Sequence, residues 1–163
     1  MTVVMYIIDT SSLVELNKHN PMDIYPGVWK RMEGLIHSKR LFAPKEVLNE
    51  LSRIDDLLLD WAKNQSQMFI EPTEQQIDIV KEILQKYPSL IDINRKYDAD
   101  PWVIALAIEM NRSKQKTLVE VKRVVVTEEK LRGNKIKIPF VCKEFAVESI
   151  DILDMFRMEG WKF

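Results

Sequence analysis

Carboxylates are the residues on which chemistry in this chain can rest, because the other usual parts are missing. Two histidines, His19 and His37, and a single cysteine, Cys142, cannot assemble a zinc site of nitrogen and sulfur ligands, and they carry no local signature of a cysteine–histidine nucleophile pair. One cysteine also excludes an intramolecular disulfide, which fits a reducing compartment, and Cys142 reads as a small buried apolar residue. The acids fall into four contexts. Asp9 directly follows MYII, and Thr127-Glu128-Glu129 directly follows VVV, so both stand at the carboxyl end of an apolar run. Glu50 comes three residues after Val47 and four before Ile54, bordering the buried stripe of a helix, where an unpaired carboxylate is costly. Asp100 precedes Pro101 at the start of PWVIALAIEM, which holds it at the edge of the core. Each has an ordinary reading alone. Strand-end acids serve as turn residues, Glu50 can pair with Arg53, and Asp100 is a good N-cap with Asp98 as its solvated neighbour.

The elements that must position these acids follow from apolar spacing. Thr2 to Ile8 reads as a buried strand, Leu41–Phe42 as a brief one, Met68 to Ile70 as a short extended piece, Val124 to Val126 as a second clear buried strand, and the chain near Val147–Ile150 as a last short segment. Between them lie helices. One is capped by Ser11 or Ser12, one spans Val28 to Ser38, and one runs over 44–63 with Pro44 at its first position and Val47, Leu48, Leu51, Ile54, Leu58 and Trp61 as its stripe. Thr73 opens a helix carrying Ile77, Val80, Ile83 and Leu84, Asp100 starts another, and the tail adds one with Ile152, Leu153 and Phe156.

Short all-apolar strands alternating with helices imply a parallel sheet covered on both faces. The expected fold class is therefore α/β, three layers (α/β/α) around about five short strands, within a single domain over 1–163. That length can bury a sufficient core without staples. In such sheets ligands sit beyond the carboxyl ends of the strands, where strand order reverses. The rule turns scattered acids into a candidate site.

Taken in order, the segments DTSSL, EVLNELSR, DADPWVIALA and VVVTEEK resemble the four acidic motifs of the PIN-domain family, over residues 5–129. Asp9 matches the first motif acid with Ser11 as its hydroxyl, Glu50 the second and Asp100 the third. The fourth, in T-x-D after a strand, matches Glu129 by its spacing from Thr127. Here the chain departs from the usual Asp and offers Glu128 beside Glu129, which leaves open which of the two serves. The tail IPFVCKEFAVESIDILDMFRMEGWKF, with YPGVW near Tyr25, is similar to one prokaryotic branch of that family with an IPxVC…EGW ending.

The resemblance implies a VapC-like, metal-dependent ribonuclease that cleaves single-stranded RNA and leaves a 5′-phosphate and a 3′-hydroxyl. Crowded carboxylates cannot all stay ionised without a cation, and hard oxygen ligands suit Mg2+ or Mn2+. On this reading Asp9, Asp100 and Glu129 ligate the metal, and Glu50 ligates it or orients the attacking water. Ser11 and Thr127 hold a water or a phosphate oxygen, with Glu128 and Asp98 in support. Small lone domains of this kind are most often toxins held by a small antitoxin, and they commonly form dimers. Met155, Phe156, Met158 and Trp161 then either contribute to a homodimer surface or pack on the chain's own core.

Charge adds a possible track for the substrate. From Arg112 to Lys137 there are nine basic residues against three acids, leaving −7 for the rest of a chain whose net charge is −1. Arg112, Lys114, Lys116, Lys130 and Arg132 are the candidates to hold a phosphate backbone, and a solvated loop is the alternative. The sequence shows no signal peptide and no apolar run of membrane-spanning length, so the expected location is cytoplasmic.

Three other readings compete. A PIN-fold module that binds RNA or protein without catalysis would be expected to lack one of the acids. A phosphotransfer domain would be either of receiver type, which needs adjacent acids where Thr10 follows Asp9, or of haloacid-dehalogenase type, which needs Asp-x-Asp where Ser11 stands. A structure-specific DNA nuclease usually carries extra acids and a helical arch.

Overall fold

The computed structural model describes residues 2–92, 94–113, 118–133 and 135–163. Five strands form one all-parallel sheet: β1 (Thr2–Ile8), β2 (Leu41–Pro44), β3 (Phe69–Ile70), β4 (Glu120–Val126) and β5 (Glu148–Ile150), in the order β3-β2-β1-β4-β5. The central pair is in register from Thr2↔Glu120 to Ile8↔Val126. Tyr6, Ile7, Ile8, Val124, Val125 and Val126 are all fully buried. Neighbouring residues on a strand point to opposite faces, so both faces of the sheet are covered, as a parallel sheet requires. The expected α/β class and its five short strands are thus what the chain adopts.

The helices are α1 (Thr10–His19), α2 (Pro26–His37), α3 (Lys45–Leu51), α4 (Asp56–Lys63), α5 (Glu74–Lys86), α6 (Asp100–Arg112), α7 (Ile138–Glu144) and α8 (Ile152–Glu159). In α6, Pro101 and every residue from Val103 to Ile108 are buried, as its apolar circumference demands. Thr73 caps α5 through Gln76 N–H, although Ile79 rather than Ile77 faces inward.

Four local expectations are corrected. The helix expected over 44–63 is two helices. Ser52 turns its hydroxyl onto Asn49 O, and Asp55 accepts from Leu58 N–H and so caps a new helix; Ile54 is left in the turn, 56% exposed. Pro44 ends β2 and precedes α3 rather than opening it. The cap of α1 is Asp9, which accepts from Ser12 N–H, in place of either serine. Asp100 is the first residue inside α6, Ala99 holds the cap position, and no side chain caps that end.

The tail packs on the chain's own core. Met155 is fully buried, Phe156 and Trp161 pack partly buried against the core with ring centroids 5.2 Å apart, and Met158 stays 40% exposed. Arg40 bonds Val4 O and clamps Glu159, whose carboxylate also accepts from Tyr6 Oη, tying α8 to the amino-end side of the sheet. Cys142 is buried. Among the described residues no helix is long and apolar enough to cross a membrane.

Candidate functional site

Strand order reverses at β1: β2 and β3 lie to one side of it, β4 and β5 to the other. The carboxyl ends of β1 and β4 therefore flank the crevice where such sheets take ligands. Asp9 and Thr127 are the residues that leave those two strand ends, with Asp9 N–H still bonded to Val126 O and Thr127 N–H to Ile150 O. The parallel register places them side by side, and the Thr127 hydroxyl donates to Asp9 Oδ2 at 2.5 Å.

Asp9 is 2% exposed and held on three sides. Besides Thr127, Ser11 Oγ donates to Oδ2 at 2.8 Å and Ser12 N–H to Oδ1 at 2.8 Å. Ser11 Oγ in turn accepts from Glu128 N–H, and Thr127 Oγ1 from Glu129 N–H. Two hydroxyls thus lock the loop after β4 onto the first carboxylate. Burial still dominates Asp9 and raises its carboxyl to about 6, against the lowering effect of these donors.

Glu50 reaches the site from α3. Its Oε1 accepts from Thr10 Oγ1 and its Oε2 from Ala99 N–H at 3.2 Å. Arg53, its expected partner, instead sits 5.8 Å from the centre of the Tyr97 ring. Burial raises the Glu50 carboxyl, with Asp98 adding to the shift and Thr10, Ala99 and Arg95 opposing it. Asp100, in the first turn of α6, is raised to about 9. Burial is the largest cause, followed by the negative charges of Glu129, Asp98, Asp9 and Glu50.

Asp9, Glu50, Asp100 and Glu129 line one cavity of about 300 Å³, with Ile54 and Arg95 at its wall. Asp98 stands just outside, in an adjoining cavity of about 190 Å³ that shares Asp100, Glu129 and Arg95. Glu128 and Glu129 part ways: Glu129 lines the cavity while one oxygen accepts from Ile138 N–H, and Glu128 turns away to accept from Ile152 N–H at the start of α8.

The donor set is all oxygen, three or four carboxylates with hydroxyls behind them, and its excess negative charge fits a hard divalent cation. The side chains share a cavity without meeting at a point. Among the described residues no three His, Cys, Asp or Glu groups are grouped so as to hold a metal ion. Glu50 and Glu129 are bonded to hydroxyl and backbone donors, so ligation by three carboxylates requires rotation of at least one of these longer side chains.

The basic candidates are dispersed. Arg112 ends α6, about 18 Å along the helix axis from Asp100 at a rise of about 1.5 Å per residue. It borders a different cavity with Lys122 and Arg123, at the amino end of β4. Lys130 and Arg132 are exposed on the loop before α7, with Lys130 paired to Asp151 at 3.0 Å. Lys114 and Lys116 lie outside the described residues. Thr10 and Arg95 also line the cavity, and the four motifs do not point to them. Thr10 carries a hydroxyl right beside Asp9, and Arg95 a cation five residues ahead of Asp100, which were the available signals.

Residues 6–163 match the family described as Domain of unknown function (DUF4411). No curated protein matches the chain. Among solved structures, the chain is similar to one in the crystal structure of VapBC2 from Rickettsia felis bound to a DNA fragment from their promoter. The identity is 18%, with 93% of this chain and 98% of that chain covered, and the TM-score is 0.48. It is also similar to PAE2754 from Pyrobaculum aerophilum, at 16% identity, covering 90% of this chain and 98% of that chain, with a TM-score of 0.34.

Proposed function

The chain belongs to the DUF4411 family, and from its four acidic motifs and the cavity they share we propose that it is a metal-dependent endoribonuclease of PIN-domain type, acting on single-stranded RNA. The observation that carries this reading is the meeting of Asp9, Glu50, Asp100 and Glu129, contributed by four separate segments, around one cavity at the switch point of a parallel sheet. A buried structural role explains this poorly. It would leave four acids together with a carboxyl driven to about 9 at Asp100, which disfavours folding at neutral pH.

Asp9, Asp100 and Glu129 are the residues that would hold Mg2+ or Mn2+, with Glu50 beside them. A cation bound there supplies charge neutralisation at the scissile phosphate and makes an attacking water more acidic. The rest is done by the protein. Ser11, Ser12 N–H and Thr127 fix the orientation of Asp9, so its oxygens do not have to be ordered when substrate arrives. The Glu50 carboxyl is raised above the ordinary range and sits at the cavity wall, where it can orient the water and take up its proton. The α1 amino end, capped by Asp9, adds a favourable dipole for a negative group.

Purified protein is expected to cleave single-stranded RNA with Mn2+ or Mg2+, and Asp9→Asn and Asp100→Asn are each expected to abolish cleavage. Robust cleavage in excess chelator, or by both variants, overturns the mechanism. We further place the activity in a toxin–antitoxin pair, on the resemblance of the four motifs to lone PIN domains of that kind. Expression of the wild type alone should then arrest growth, and the Asp9→Asn variant should not.

A further inference from the structure

Resting on the nuclease reading, we infer that the RNA strand reaches the carboxylates over the loop ahead of Asp100, with Arg95 holding a backbone phosphate and Tyr97 stacking a nucleobase. The cavity itself presents Asp9, Glu50, Asp100 and Glu129, so a polyanion meets repulsion unless cations stand at its rim. Screening at physiological salt limits that help to about 8 Å, so the cations have to be local. Of the basic strip after Arg112, Lys137 lines the adjoining cavity and is one such cation, whereas Arg112 is at the far end of α6, and Lys122 and Lys130 are paired to Glu148 and Asp151.

Arg95 is the cation at the carboxylate cavity itself. It lines both the carboxylate cavity and the adjoining one, and it takes part in none of the ion pairs found among the described residues. Two residues on, the Arg53 guanidinium lies over the Tyr97 ring, 5.8 Å from its centre, as does the Lys96 ammonium at 5.3 Å. Arg53 adjoins Ile54, the exposed apolar residue in the cavity wall. A base stacks on Tyr97 by taking the place of one of these cations, which is then free to meet the backbone phosphate beside Arg95. Among the described residues ahead of Asp100, Asp92 N–H bonds Asp98 Oδ2, Asn94 N–H bonds Asp92 Oδ1 and Arg95 N–H bonds Asp92 O. A base can stack on Tyr97 only when it is free of a duplex, which gives the site its preference for single strands.

The test uses the full chain carrying Asp9→Asn to prevent turnover, with a labelled single-stranded RNA followed by fluorescence anisotropy across a salt series. Added Arg95→Ala is expected to flatten the slope of log affinity against log salt by about 0.7, the share of one phosphate contact. Tyr97→Ala is expected to weaken single-strand binding roughly 5- to 100-fold, while Tyr97→Phe keeps the affinity and a duplex of the same sequence is insensitive to either change. Arg112→Ala should leave affinity and slope unchanged. If the parent binds RNA but neither Arg95→Ala nor Tyr97→Ala alters binding, the proposed path is wrong and the nuclease reading stands. If the parent binds no RNA although the wild type cleaves it, the path falls and the nuclease reading stands; if the wild type neither binds nor cleaves RNA, both fall.

Discussion

Replacing Asp100 with asparagine should abolish activity and at the same time make the cation-free protein more stable. The folded form keeps the Asp100 proton up to about pH 9, whereas an unfolded chain releases it near 3.8. Between those limits the folded state binds more protons than the unfolded one, so stability falls as pH rises through the window. At pH 7 the accumulated loss is on the order of 4 kcal/mol, taking about 1.4 kcal/mol for each pH unit above 3.8. Asparagine copies the shape of the protonated carboxyl and carries no charge to bury. At about 3 °C per kcal/mol for a chain of this size, Tm in chelator should rise by roughly 10 °C at pH 7 and change little at pH 4. Thermal unfolding of both proteins from pH 4 to pH 8.5, with chelator and then with Mn2+, measures this directly. Mn2+ should stabilise the wild type, more so at the alkaline end, and the variant much less. An Asp100→Asn protein that melts below the wild type at pH 8, or that keeps the same pH dependence, would show that Asp100 is not the strained group of the cavity.

Other consequences are open to simple variants. Glu129→Gln should lower cleavage at least 100-fold, whereas Glu128→Gln, which weakens only the bond to Ile152 N–H, should leave turnover near normal and reduce stability by about 1 kcal/mol in urea titration. Thr127→Val removes the donor to Asp9 Oδ2 and the acceptor for Glu129 N–H. It is expected to lose about 1–3 kcal/mol at pH 8, and less at pH 5, where Asp9, raised to about 6, is already mostly protonated. Arg40→Met leaves Glu159, whose side chain is 10% exposed, without its guanidinium; about 2–4 kcal/mol of stability should go while the cleavage rate per folded molecule is unchanged, because the clamp is on the amino-end side of the sheet.

The strands were legible because all-apolar runs such as YII and VVV can only be buried, and burial on both faces of a parallel sheet asks for that composition. The acids stood out for the same reason: Asp9 and Thr127-Glu128-Glu129 end those runs, and parallel strands bring their carboxyl ends to one edge wherever the residues lie in the chain. Helix ends were less legible. At the turn after Leu51 the apolar stripe continues through Ile54, and the side-chain bonds of Ser52 and Asp55 override it, a local competition that spacing does not register.

Tertiary structure alone decided which acid of the Glu128–Glu129 pair enters the cavity, because a one-residue difference in an irregular loop reverses side-chain direction and depends on the helix ends it meets, Ile138 for one and Ile152 for the other. It also separated the basic residues that lie close together in sequence. A helix carries Arg112 away from Asp100, while Arg95 lines the same cavity as Asp100. Residue type and order therefore determined the chemistry available to the chain. Distance and direction in space decided which groups could act together, since electrostatic coupling falls off over a few ångströms and sequence separation does not measure it.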